Sequence, residues 1–330
     1  MLTLLVNKKN ISHNCSYIPL LFPFWGPILK DTTPYLTGVF EMLSFDKKYY
    51  RLTENLTEVD CILLPHNYWT LKKYDPGYLK NFIHKAQMLK KPVLIDATGD
   101  CADEVPIKNS IVLRNSIYKK SLKNKEIVVP AYAEDFGKFI PRKLPLVPTI
   151  GFAGWAKENF FKSLYITERT PGLVIRNLAI KYLNKTAGIK TNFILRKSYS
   201  GHIKTISGSV KQYRTEFVDN IIDSDYTLCV KGSGNFSVRF YETLSLGRIP
   251  LVIDTDCVFP LEEKINYREF CLFVSYRNLD KIGKLLLDFH RSLSSNDFFN
   301  KQNEAREVFD KYLRIDSFTK YLVDEIKLRI

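Results

Sequence analysis

Short apolar runs recur along the first half of the chain at residues 3–6, 61–64, 93–95, 111–113 and 127–129, each bounded by polar or turn-forming residues. Runs of this length predict strands rather than helices. Between two of them Leu79, Phe82, Ile83, Ala86 and Leu89 recur at helical spacing. Strand and helix therefore alternate, as in a sheet covered on both faces rather than an antiparallel meander. Residues 139–148 then hold three prolines in ten positions, which excludes a helix interior or a central strand. The expected organisation is one domain over residues 1–145 and a second over residues 146–330.

Beyond the joint the pattern restarts. A strand at residues 149–152 ends at Ala153-Gly154, and Thr170-Pro171-Gly172 opens a helix whose buried stripe is Ile175, Leu178, Ala179, Tyr182 and Leu183. Proline in the first helical turn costs no hydrogen bond, which makes this a strong start signal. A strand at 192–195 and a short helix at 216–222 lead to the most informative stretch, residues 225–260. There an apolar strand at 226–230 runs into Lys231-Gly232-Ser233-Gly234-Asn235, then a helix that Ser237 can cap, then a strand at 251–253 introduced by Gly247 and Pro250. Glycines let backbone approach a ligand closely, and the free N–H groups of a helix start favour a phosphate. Three helical patterns close the chain near 279–289, 305–313 and 318–328, the last expected to pack back on the N-terminal domain.

Length and composition, 330 residues of which 45% are hydrophobic, allow two ordinary cores. No window approaches the roughly 18 to 20 uncharged apolar residues of a membrane span, and the leading apolar residues break too early at Asn7-Lys8-Lys9-Asn10 for a secretory signal. The expected location is cytoplasmic, peripheral at the inner membrane face. Six cysteines occur singly, without metal-ligand spacing, so no metal site and no cofactor are expected. The net charge of +14 implies an anionic partner. Basic residues are scattered without an arginine-rich arm or nucleic-acid motif, which argues against nucleic acid and leaves nucleotide phosphates or an acidic lipid surface.

On the helix after the glycine loop, Arg239 and Glu242 lie three residues apart and share a face. An exposed i,i+3 pair would be worth only a few tenths of a kcal/mol, about 0.2–0.5. Their place beside the loop favours instead a guanidinium on a diphosphate and a carboxylate on ribose hydroxyls. The loop itself could be only a turn, since glycine turns are common.

At these residues the chain resembles the exostosin family of glycosyltransferases. The likeness rests on Ser224-Asp-Tyr-Thr-Leu-Cys229, Ser237-Val-Arg239-Phe-Tyr-Glu242 and Gly247-Arg-Ile-Pro250-Leu-Val-Ile, in the family's order and spacing. Gly154 resembles the family's strand-ending glycine and Arg176 its arginine in the next helix. The resemblance is good over about residues 148–275 and weak before that. It implies a GT-B fold, two Rossmann-like α/β domains facing a cleft, with donor-binding residues Gly154, Arg176, Lys231, Gly232, Ser233, Gly234, Asn235, Ser237, Arg239 and Glu242. Two departures stand out: the N-terminal membrane anchor usual in animal and plant members is not expected here, and Gly99-Asp100-Cys101 lacks the histidine of the family's Gly-x-Asp-His element. The expected origin is therefore a soluble bacterial or viral relative.

A transfer that inverts the anomeric carbon needs a base for the acceptor hydroxyl. Three residues are candidates: His66, which follows a strand end and has a suitable unperturbed pKa, Asp100, and Glu158 after Phe152-Ala-Gly-Trp155. A lone histidine is more often a hydrogen-bonded packing residue. Phe22, Phe24, Trp25, Tyr68 and Trp69 could stack on sugars, although core packing accounts for most such residues. The expected activity is metal-independent transfer of a hexosyl or pentosyl group from a nucleotide-diphosphate sugar to a growing glycan, carried on lipid, in capsule or lipopolysaccharide synthesis. The competing expectation is a non-catalytic GT-B module that binds nucleotide sugar or glycan beside an active enzyme.

Overall fold

The structure, a computed structural model, describes residues 1–27, 34–137, 139–156, 165–198 and 209–330. The first unit contains β1 (Leu2–Leu5), β2 (Tyr50–Thr53), β3 (Cys61–Leu63), β4 (Val93–Asp96), β5 (Ser110–Arg114) and β6 (Glu126–Val128). They lie in the order β2-β1-β3-β4-β5-β6, every pair parallel. The second contains β7 (Thr149–Trp155), β8 (Lys190–Arg196), β9 (Tyr226–Cys229), β10 (Ile249–Asp254) and β11 (Leu272–Ser275), in the order β8-β7-β9-β10-β11, again all parallel. This is the expected GT-B build of two Rossmann-like domains. In both sheets the second strand lies outside the first and the third inside it, so strand order reverses between β1 and β3 and between β7 and β9. Crevices at the carboxyl ends of such switch points are where open α/β sheets hold ligands.

Helices α1 (Phe22–Trp25) and α2 (Pro34–Met42) follow β1, and α3 (Tyr68–Tyr74) and α4 (Pro76–Leu89) follow β3. In the second unit α5 (Gly172–Asn184), α6 (Val210–Ile222) and α7 (Val238–Ser245) link strands, and α8 (Ile282–Ser292), α9 (Ser295–Val308) and α10 (Ile315–Lys327) close the chain. Helix α4 begins where Asp75 caps it through the Tyr78 N–H and Pro76 takes the first turn. Helix α9 begins at a capping box, with Ser294 and Asp297 each accepting from the other's backbone.

Helices α3 and α4 bury one face of the first sheet, and α5 and α8 one face of the second. The remaining core runs through both units. It joins Leu2, Leu4 and Ile127 of the first sheet to Phe240 and Leu244 of α7 and to Phe318, Leu322 and Ile326 of α10. Each of these large side chains stabilises by about 1.5–3 kcal/mol on burial, so α10 is bound firmly to the first sheet although it follows the second in sequence. The proline-bearing joint is also pinned. Arg248, 1% exposed, donates to the carbonyls of Ile140 and Ile222, and Gln302 exchanges hydrogen bonds with the backbone of Arg142. Gly247 turns the chain at φ +60°, and a Cβ there would overlap the ring of Phe139; glycine alone satisfies both the turn and the contact.

Candidate functional site

At the second switch point the carboxyl ends of β7 and β9 lie side by side. Phe152, near the end of β7, is flanked by two guanidinium groups, Arg239 from α7 at 4.1 Å from the ring centroid and Arg176 from α5 at 5.4 Å. Arg239 Nη2 donates to the Ala153 carbonyl at 2.6 Å, while its buried Nε has no hydrogen-bond partner. A Cβ on Gly154 would stand 2.9 Å from Arg239 Nη2, so this glycine makes room for the arginine. Burial pulls the Arg239 pKa down, while Cys229 and Glu242 push it back up; an arginine starts so high that it stays charged. Arg176 donates to the carbonyls of Trp155 at 2.8 Å and Lys231 at 3.5 Å, tying together the two strand ends.

Glu242 is 3% exposed and pairs with Arg214 of α6 at 2.7 Å. Arg214 in turn contacts Glu134, in the segment leading to the joint, at 2.8 Å. The carboxylate expected to face a ribose is thus held inside an ion-pair chain in this state. Arg196, at the end of β8, stacks on Tyr213 at 4.5 Å and pairs with Glu216 at 3.1 Å. Among the described residues Arg176, Arg196, Arg214, Arg239 and Lys231 gather at this edge, interleaved with Glu134, Glu168, Glu216, Glu242 and Asp100.

The glycine loop divides in two. Gly232 and Ser233 are exposed, whereas Gly234 and Asn235 are clasped by the first domain. The Gly234 N–H donates to Asp100 Oδ1 at 3.1 Å and the Asn235 N–H to Ser116 Oγ at 2.9 Å. The Asn235 amide spans Ile117 and Thr255, leaving the residue 1% exposed. A side chain on Gly172 would overlap the carbonyls of Lys231 and Gly232, so α5 abuts the loop through its first residue. Ser237 does occupy the N-cap of α7 in extended conformation, but its side chain makes no capping hydrogen bond. Lys231, 6% exposed, reaches the Glu168 carbonyl at 2.5 Å and the Tyr118 hydroxyl of the other domain at 3.4 Å. Burial lowers its pKa to about 8.

The three base candidates fare differently. His66 is fully buried: Nε2 accepts from the Ser12 N–H at 3.0 Å and Nδ1 lies 2.9 Å from the Ser16 carbonyl. Because Nε2 is an acceptor, the proton sits on Nδ1 and both nitrogens are engaged. Burial also lowers its pKa, so His66 is a neutral packing histidine that clasps residues 12–16. That corrects the expectation of a base there. Glu158 lies outside the described residues. Asp100 is exposed and stands at the glycine loop. Its own loop is fixed by Arg114, which pairs with buried Glu126 at 2.7 Å and donates to the carbonyls of Cys101 and Asp103.

Of the aromatics named as stacking candidates, Phe22 and Trp25 meet Tyr17 edge-on, and Tyr68 meets Trp69. Arg196, Arg214, Glu134 and Tyr118 escaped the sequence reading. Arg214 could have been found only by noticing that it falls on the same helical face as Phe217, over which its guanidinium lies at 5.0 Å.

Residues 168–289 match the Exostosin GT47 domain. The chain is 32% identical over 101 residues to the Exostosin-1 homolog of Caenorhabditis elegans, a stretch covering 31% of this chain and 25% of that protein. The chain thus spans about a quarter of this curated relative. Among solved structures it resembles a glycosyltransferase from Rickettsia africae, with TM-score 0.47 and 13% identity, covering 92% of this chain and 84% of that one. It also resembles a mutant of S. aureus TarM in complex with Fondaparinux, alpha-GlcNAc-glycerol and UDP, with TM-score 0.37, 10% identity and coverage of 89% and 53%.

Proposed function

Because residues 168–289 match an exostosin GT47 domain, we propose that this protein is an inverting glycosyltransferase that moves a sugar from a nucleotide-diphosphate donor to a hydroxyl of a growing glycan. The observation that carries this reading is Arg239 packed against Gly154 at a switch point, where positive charge and close backbone approach coincide, with Lys231 at the end of the neighbouring strand. In the proposed reaction the acceptor oxygen attacks the anomeric carbon and gives its proton to Asp100. The bond from that carbon to the donor diphosphate breaks, and the electron pair leaves with the diphosphate. Arg239 and Lys231 meet the growing negative charge, the contribution that counts most in such transfers. These two cations supply the countercharge that a divalent ion supplies elsewhere, so the proposed transfer runs without one. The acceptor we propose is a lipid-linked glycan of capsule or lipopolysaccharide type, met at the cytoplasmic membrane face.

The decisive experiment is Arg239→Ala with a panel of nucleotide sugars. Turnover should fall by about 10²–10³ in a variant that circular dichroism shows still folded, and parental turnover in the variant would sink the assignment. The competing reading, a non-catalytic nucleotide-sugar-binding module, draws on the buried Glu242–Arg214 pair and the clasped Asn235, which leave less of the loop open. Calorimetric binding of a nucleotide sugar with neither hydrolysis nor transfer would favour it.

A further inference from the structure

The opposite edge of the first domain, where its parallel strands begin, carries a surface the proposed reaction does not use. Lys90 and Lys91 stand before β4, Lys108 before β5, Lys123 and Lys125 before β6, and Arg329 just past the end of α10. Three carboxylates stand among them: Glu104 paired with Lys123 at 2.5 Å, Glu325 paired with Arg329 at 2.6 Å, and Asp60 before β3, which accepts from the Thr3 N–H at 2.7 Å. Among the described residues Lys90, Lys91 and Lys108 are exposed and enter no ion pair.

Large apolar side chains are exposed at the same edge. Met88 (71%) and Leu89 end α4, Leu122 precedes β6, and Leu328 (79%) follows α10. Helices α4 and α10 cover opposite faces of the sheet, so the patch passes beneath the sheet from one to the other. Between them a cavity of about 520 Å³ opens, lined by Pro92, Ile107, Lys108, Lys125 and Arg329 and by one carboxylate, Glu104, which Lys123 pairs. Lys125 spends two of its three protons on the Val105 and Ile107 carbonyls, and Arg329 uses Nε and Nη1 on Asn124 and Glu325. One lysine proton and the Nη2 group remain uncommitted in the described hydrogen bonds.

We propose that this edge is a peripheral docking face for an anionic membrane surface, with the cavity receiving a phosphate-bearing lipid headgroup. Exposed aliphatic side chains among lysines are the composition that settles into the headgroup region. Aromatics that would stack on bases are missing from the residues named here, which sets the patch apart from a single-strand nucleic-acid surface. The strands run away from this edge, so docking turns their carboxyl ends, and the candidate site, away from the lipid. A five-residue strand rises roughly 17 Å. If the glycosyltransferase reading holds, the acceptor is therefore a glycan already long enough to reach past the domain.

The test is flotation of the whole chain with vesicles of phosphatidylcholine, with and without phosphatidylglycerol. The parent should float only with the anionic vesicles and dissociate as salt is raised. A Lys90→Glu, Lys91→Glu, Lys108→Glu variant should lose binding about tenfold or more while keeping its melting curve. Met88→Ser with Leu122→Ser should lower what binding survives high salt, and Arg239→Ala should float as the parent does, since the two sites are independent. Equal flotation with pure phosphatidylcholine, parental binding by the charge-reversed variant, or preference for single-stranded RNA over vesicles would each overturn the proposal.

Discussion

The carboxyl edges of the two sheets are built from the same topology and treat their polar residues in opposite ways. At the second sheet cations gather at the strand ends, and one of them, Arg239, keeps a buried Nε without a partner. At the first, polar side chains are consumed by the fold: His66 spends both nitrogens on residues 12–16, and Asp96, buried, accepts from Asn67 and twice from Thr98 through one oxygen. Burial raises the Asp96 pKa, against those hydrogen bonds. One edge keeps an open donor on a cation and the other stores satisfied hydrogen bonds. An open donor is what a ligand can use; satisfied bonds hold the surface against which it is held.

Asp100 is the exception on the first edge, being exposed and turned to the glycine loop, and the largest expected effect follows. Asp100→Asn should lower the turnover of a responsive nucleotide sugar by about 10²–10⁴ while leaving nucleotide affinity within a few-fold. Equal turnover would place the base elsewhere. Lys231 gives the next effect. Its pKa near 8 means that the cation is lost as pH rises through that value, so kcat/KM should fall on the alkaline side with that midpoint, because this ratio reports the free enzyme. Lys231→Arg should remove the alkaline limb, and a limb that persists would assign it to another group. His66 gives the smallest effect on turnover. His66→Gln should leave it nearly unchanged and lower stability by about 1–3 kcal/mol, the cost of buried groups left unpaired. The sign with pH is fixed by its depressed pKa: the parent loses stability as pH falls below the unfolded value near 6.5, and the variant should lack that loss. A collapse of turnover in His66→Gln with an unchanged melting curve would reverse the comparison between the two edges.

The legible parts of the fold were those whose signal is local. Strands β3, β4, β5 and β9 are buried throughout, and burial on both faces writes itself as an unbroken apolar run. Strands β2 and β11 went unread because each lies at the edge of its sheet and is partly exposed. The helix expected at 216–222 starts earlier, at Val210, where Ser209 caps it through Gln212. The pattern at 305–313 joins the end of α9 to a π-helical turn, Phe309–Leu313. In the site, Arg239, Gly154 and Lys231 stood in a recognisable order along the chain. The partners of Arg214 and Asn235 did not, since Ser116 lies 119 positions from Asn235 and Glu134 lies 80 from Arg214. Spacing carries no trace of such pairings.

The clasp at Gly234 and Asn235 bears on how this architecture can be recombined. Hybrid enzymes are often sought by grafting the C-terminal half of one relative onto the N-terminal half of another. Here a graft at the proline joint would cut the glycine loop from Asp100, Ser116 and Ile117, the groups that set its shape. A working chimera has to carry those two loops of the first domain along with the second, so the unit of inheritance is a patch spanning both halves.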